Sequence, residues 1–303
     1  MEIVKSRSRP LRGVRIVSLA LNLPGPAALM RLNALGARCL KVEPPGPAIS
    51  AAGRPVSGDP MGQYAVEAYA EMHDGVRIIQ LDLKTDGGRA KLARTLTDAD
   101  VLLTSFRPSA LAKLGLGWRA LHRAYPTLSV VEIVGAPGER AEEPGHDLTY
   151  LAEAGLVIGT ELPPTLLADM AGALLTVEAT LAALMQSRTN GRGVHRQVAL
   201  SDAAQWLALP RTWGLTLPTG TVGGAHAGYR VYPCKDGRVA VAALEPHFAA
   251  ALFKAVGLPT PDRRAPFTPQ AHDTVAAWAL TKTRRQLDAL ARVADIPLYT
   301  LPK

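Results

Sequence analysis

The sequence predicts an α/β fold, with a Rossmann-like large domain built on a mainly parallel sheet and a smaller α+β domain after it. Three observations predict this. Short β-branched runs alternate with helical patterns through the first half of the chain. With 303 residues and 48% hydrophobic content, the chain can bury a substantial core. After Leu215 the texture changes to Gly-rich turns and short strands. The expected division is a large domain over 1–205 and a small one over 206–303.

The elements follow in order. Val14–Leu19 is a β-branched strand, Pro26–Leu35 a helix and Arg38–Val42 a second strand, which together make a compact β-loop-α-β unit. Strand Arg77–Leu83, helix Gly87–Ala99, strand Val101–Ser105, a helical pair within Ser109–Tyr125 and strand Leu128–Val134 repeat the alternation. The polar, Pro/Gly-rich stretch Ala136–Pro144 reads as a loop at a strand end, where ligands of such sheets bind. Helix Asp147–Gly155 follows, then a long apolar helix Leu167–Arg188 stopped by Asn190-Gly191. In the small domain, strands Tyr229–Tyr232 and Arg238–Ala242 flank a Lys-Asp-Gly turn.

Composition narrows the function. Two cysteines far apart, Cys39 and Cys234, indicate neither a disulfide framework nor a cysteine metal site, and fit a reducing cytoplasm. The basic start, Met1 to Arg9, leads into no signal-like apolar stretch, and no later apolar run is expected to span a bilayer. The net charge of +8 is scattered, without a recognition-helix pattern, so a phosphorylated small molecule is a simpler partner than nucleic acid. The loop after the first strand, Asn22-Leu23-Pro24-Gly25-Pro26, lacks the GxGxxG dinucleotide fingerprint; GxxxxGK[ST], HExxH and GxSxG are absent too.

Several segments in order resemble CoA-transferase family III, which includes CoA-transferases and 2-methylacyl-CoA racemases. They are Leu11-Arg12-Gly13-Val14-Arg15-Ile16, Pro24-Gly25-Pro26, Leu35-Gly36-Ala37, Lys41-Val42-Glu43-Pro44-Pro45-Gly46, Leu81-Asp82-Leu83-Lys84, Ala99-Asp100-Val101-Leu102, Ser105-Phe106-Arg107-Pro108 and Leu114-Gly115-Leu116-Gly117. The racemase branch is resembled by Gly145-His146-Asp147-Leu148-Thr149-Tyr150-Leu151, by Leu166-Leu167-Ala168-Asp169-Met170-Ala171-Gly172, by Gly223-Gly224-Ala225 and by Leu244-Glu245-Pro246-His247-Phe248.

By residue type alone, a lone His after glycine such as His146 is more often a helix cap or a surface residue than a catalyst, and an Asp beside an apolar helix such as Asp169 is usually its N-cap. The resemblance implies that the pair are the two acid/base groups that inversion next to a thioester carbonyl requires, one per face. It also implies that Glu245 approaches them from the small domain and that Asp147 offers its backbone amide to the thioester oxygen. For CoA it implies Lys41 and Arg107 as phosphate partners, Arg77 and Lys84 as weaker ones, and Leu83 and Phe106 beside the nucleotide. It implies no metal, and no cofactor beyond coenzyme A as part of the substrate.

The sequence departs from the family pattern in places. Thr104-Ser105 stands for Glu-Asn, Ser109 for a glycine, Val76 for a lysine, and Val134-Gly135-Ala136-Pro137-Gly138-Glu139 for a Gly-rich loop. By the same resemblance, the family's C-terminal return segment is expected to be absent after Lys303. The resemblance further implies an interlocked homodimer. Three functions follow: α-proton transfer on a 2-methylacyl-CoA, CoA transfer through an aspartyl-CoA thioester on Asp169, and CoA binding without catalysis.

Overall fold

The computed structural model describes residues 9–47 and 56–303; the basic start before Arg9 lies outside the described residues. The chain divides into two units, residues 1–208 and 209–303. The expected division after residue 205 falls three residues earlier, within the same helix, Leu200–Thr212.

The first unit contains strands β1 (Arg15–Ser18), β2 (Arg38–Glu43), β3 (Arg77–Gln80), β4 (Val101–Thr104), β5 (Ser129–Val134) and β6 (His195–Ala199). They form one sheet in the order β3-β2-β1-β4-β5-β6, and every pairing is parallel. Helices α1 (Pro24–Ala34), α2 (Met61–Tyr64), α3 (Val66–Met72), α4 (Asp86–Leu96), α5 (Pro108–Lys113), α6 (Trp118–Ala124), α7 (Asp147–Glu153), α8 (Leu167–Asn190) and α9 (Leu200–Thr212) complete it. Successive side chains on a strand face opposite ways. Ile16, Leu103 and Val131 accordingly pack with α1 and α8, while Val17, Leu102 and Val130 pack with α4 and α6. Apolar side chains on both faces are why the strands read as continuous hydrophobic runs.

One expectation needs correction. Helix α8 has 24 residues and a window of mean hydropathy 1.5, long and apolar enough to cross a membrane by length and composition. Its Ala173, Val177 and Leu184 lie in the core beside α1, the position of a central helix in a packed domain.

The second unit has the antiparallel sheet β7 (Tyr229–Cys234), β8 (Gly237–Ala242) and β9 (Leu298–Leu301), in that order. Helices α10 (Pro246–Val256), α11 (Pro269–Leu280) and α12 (Arg284–Ala294) cover one face. Its core joins Tyr232, Val239 and Val241 of the sheet to Leu252, Val275 and Leu287 of the helices.

Candidate active site

The strand order reverses between β1 and β4, because β1 leads outward to β2 on one side and β4 leads to β5 on the other. In open parallel sheets the loops leaving the strands at such a reversal part and leave a crevice. Here a cleft of about 170 Å³ lies there, lined by Leu21, Asn22 and Pro24 after β1, by Ser105, Phe106 and Arg107 after β4, and by Val134 and Gly135 at the end of β5. The far wall carries Glu143, Gly145, His146 and Tyr150, with Asp169 and Leu200.

Two helix N-termini reach this cleft. His146 is the exposed N-cap of α7, in extended conformation, and its N–H donates to the Thr149 hydroxyl at 3.0 Å, which in turn donates to the His146 carbonyl at 2.7 Å. Asp169 is the third residue of α8, and its N–H donates to the Asp147 carboxylate at 2.9 Å. Asp147, the first residue of α7, is buried and so ties one helix start to the other. Among the described residues, the Asp147 N–H itself meets no acceptor, as expected for the first turn of a helix.

The electrostatics of Asp169 follow from this packing. Burial pushes its carboxyl up to about 6, the neighbouring Asp147 charge pushes the same way, and His146 opposes them. A carboxyl that titrates near neutrality can both take and return a proton at working pH.

The loops framing the cleft are fastened to one another. The Leu21 N–H donates to the Ser105 hydroxyl at 3.0 Å, so the serine that departs from the family pattern joins the β1 and β4 loops. Asn22 has a positive φ of 63°, and its N–H donates to Asp59 at 3.1 Å. On the other side, Ser109 donates to Glu142 through N–H (2.7 Å) and hydroxyl (2.8 Å). Arg140 holds Glu153 of α7 through both carboxylate oxygens, at 2.8 and 3.0 Å.

Of the residues singled out in the sequence, His146, Asp169, Phe106 and Arg107 border the cleft, with Asp147 directly behind. Arg107 is exposed at the N-cap of α5 and, among the described residues, forms no ion pair. Lys41 is a correction. Its side chain is fully buried, ion-paired with Asp59 and 3.4 Å from Glu43, and 4.9 Å from the Tyr69 ring centre, so it has no free ammonium for a phosphate. Arg77 begins β3, at the opposite end of the parallel sheet from the cleft. Leu83 and Lys84 follow β3 in a turn outside the cleft; Leu83 lines a separate apolar pocket with Leu92 and Leu116. Glu245 belongs to the second unit, exposed before α10.

Sequence reasoning gave no role to Tyr150, Asn22 or Asp59. The signal for Tyr150 was present, since it stands four residues after His146 and therefore on the same helix face. Asp59 carried none, because its partner Lys41 lies 18 residues away in another element.

The family model for CoA-transferase family III matches residues 11–301. The chain belongs to this family. Among relatives of this family III chain, the "probable fatty acyl-CoA transferase" of Mycobacterium tuberculosis is 33% identical over 207 residues, covering 65% of this chain and 52% of that protein. The alpha-methylacyl-CoA racemase of Homo sapiens is 32% identical over 266 residues, covering 82% of this chain and 65% of that protein. The chain thus matches about half of the first relative's length and just under two thirds of the second's. A crystal structure of a hypothetical protein from Mycobacterium tuberculosis superposes with a TM-score of 0.82 at 25% identity, covering 98% of this chain and 86% of that one. Family III relatives thus carry both racemase and transferase names.

Proposed function

We propose that this chain is an acyl-CoA racemase or epimerase that transfers the α-proton of a 2-methylacyl-CoA thioester between faces. The observation that carries the reading is the pairing of His146 and Asp169 on one cleft, at two converging helix starts, with Asp169 pushed up to about 6. One group takes the α-proton as the C–H electron pair moves into the thioester and forms an enolate. The other returns a proton to the opposite face, and the electron pair comes back to carbon. The unpaired Asp147 N–H is suited to the enolate oxygen, since preorganised donors act where charge develops. Arg107, without an ion pair of its own, is suited to a CoA phosphate.

A second reading is CoA transfer between carboxylic acids, with the Asp169 carboxylate as nucleophile. Its support is the transferase name carried by the mycobacterial relative. The experiment that separates the two compares His146→Ala with the unaltered protein on one acyl-CoA in deuterated water. The racemase reading expects loss of inversion by roughly 10²- to 10⁴-fold, and no adduct on Asp169. Intact acyl exchange in that variant, with an aspartyl-CoA adduct trapped by mass spectrometry, sinks it and installs the transferase.

A further inference from the structure

Tyr150 is a cleft residue that the two-base chemistry leaves unused. Its ring is anchored in an apolar cluster with Ile133, Leu151 and Ala168, and only 7% of the residue is exposed. The hydroxyl end is different. A Cβ placed on Gly135 or on Gly145 would stand 2.5 Å from the hydroxyl oxygen, so two glycine backbones leave the space it occupies. Among the described residues this hydroxyl has no hydrogen-bond partner. The oxygen itself is not sealed from solvent, so it opens to the cleft that Tyr150 lines.

Its position supplies the missing partner's chemistry. Tyr150 lies one helical turn beyond His146, and His146, Asp169 and Arg107 border the same cleft. No hydrogen bond joins the phenol to Asp169, and both residues line the cleft. On this basis we propose that the Tyr150 hydroxyl is a further catalytic group, donating a hydrogen bond to the acyl oxygen on which negative charge builds up. Tyr150 keeps its proton throughout: the α-proton moves between the bases, the electron pair moves onto the acyl oxygen and back, and the phenol stabilises the oxyanion without ionising. Burial first and the nearby Asp169 charge next raise its pKa, outweighing the opposing charge of Arg107, which keeps it a donor. The inference rests on the acyl-CoA reading of the cleft but not on the choice between racemase and transferase, since the acyl oxygen gains charge in either.

The test is Tyr150→Phe, which retains the packed ring and removes only the hydroxyl. Removal of one oxyanion donor is expected to lower kcat about 10²- to 10³-fold, with KM changed by less than about threefold. The melting temperature should hold, because no protein partner is lost. A kcat within about threefold of the unaltered protein overturns the proposal. So does a fall in melting temperature accompanied by loss of CoA affinity, which marks a structural role. A second readout needs no turnover: calorimetric titration at pH 5 with CoA and with carboxymethyl-CoA, whose carboxylate mimics the charged acyl oxygen. The phenylalanine variant should lose affinity for carboxymethyl-CoA while keeping that for CoA. Equal carboxymethyl-CoA affinities in the two proteins sink the Tyr150 assignment whatever the turnover. If the unaltered protein binds CoA but converts no acyl-CoA, the functional reading fails while this comparison still decides Tyr150. Absence of CoA binding overturns both.

Discussion

Two acidic clusters of the first unit, one around Lys41 and one around Asp169, are built to opposite ends. Around Lys41, the Asp59 and Glu43 carboxylates share a buried ammonium, and Glu43 also accepts from Tyr69, Ser57 and the Gly58 N–H. Asp59 accepts from the Asn22 and Met61 N–H groups as well. Around Asp169, the Asp147 carboxylate accepts from the Asp169 N–H, the two carboxyls repel one another and, among the described residues, no lysine or arginine pairs with either. The first cluster satisfies its charges within the fold and holds a loop in place. The second has no cation to share, buries Asp147 behind the cleft and leaves the Asp169 carboxyl at the cleft itself, where it depends on a ligand or a proton. Paired charge is structure here, and unpaired charge is chemistry.

The sharpest way to break this contrast is Asp169→Asn. Turnover should fall about 10³-fold or more, as expected when a proton-transferring group is lost. The same change should make the protein more stable at neutral pH. Because the folded pKa of Asp169 is raised to about 6, the unfolded chain gives up its proton first, and stability drains away as pH rises from about 4 to about 6. Asparagine removes that loss, so denaturation at pH 7.5 should show a gain of about 1–2 kcal/mol that is absent at pH 4. Equal stability of the two proteins at both values would show that Asp169 is not strained.

Lys41→Met should do the reverse. Two buried carboxylates left without their cation are expected to cost about 3–5 kcal/mol in urea unfolding. The double variant Lys41→Met/Asp59→Asn should recover part of this. If Lys41→Met unfolds like the unaltered protein but binds CoA less tightly, Lys41 belongs to the ligand after all.

The smallest effect is expected of Arg107→Ala. An exposed cation without an ion pair should leave the melting temperature unchanged and weaken CoA binding by about tenfold, the scale of one charge-assisted hydrogen bond. Unchanged calorimetric affinity would remove Arg107 from the site.

The contrast between Lys41 and Arg107 also shows how far the sequence could be read. Lys41 lies inside β2 and Arg107 just after β4, both match family positions, and nothing local distinguishes a solvated cation from one closed by an aspartate in a distant turn. Strands β1, β4 and β5 were legible because their β-branched, two-faced apolar runs have no helical period. Strand β6 was not: His195, Arg196 and Gln197 are exposed, and an edge strand with a wet face gives no such run. Helices α2 and α3 went unread as well, in a stretch interrupted by Gly, Asp and Pro. His146 and Asp169 could be named from motifs, yet their relation could not, since it depends on the Asp147 carboxylate reaching the start of α8.

The reversal of strand order has a last consequence, for how such a site is inherited. Strand β1 pairs on one side with β2 and on the other with β4, which begins some eighty residues later. The cleft stands over that seam: Asn22 and Pro24 come from one side of it, and Arg107, His146 and Asp169 from the other. A chain divided between β3 and β4 leaves each piece with a bare sheet edge and half a pocket. The site is therefore not modular; neither half can be copied, lent to another protein or exchanged as a working unit, and a change in either loop at the seam is felt by both.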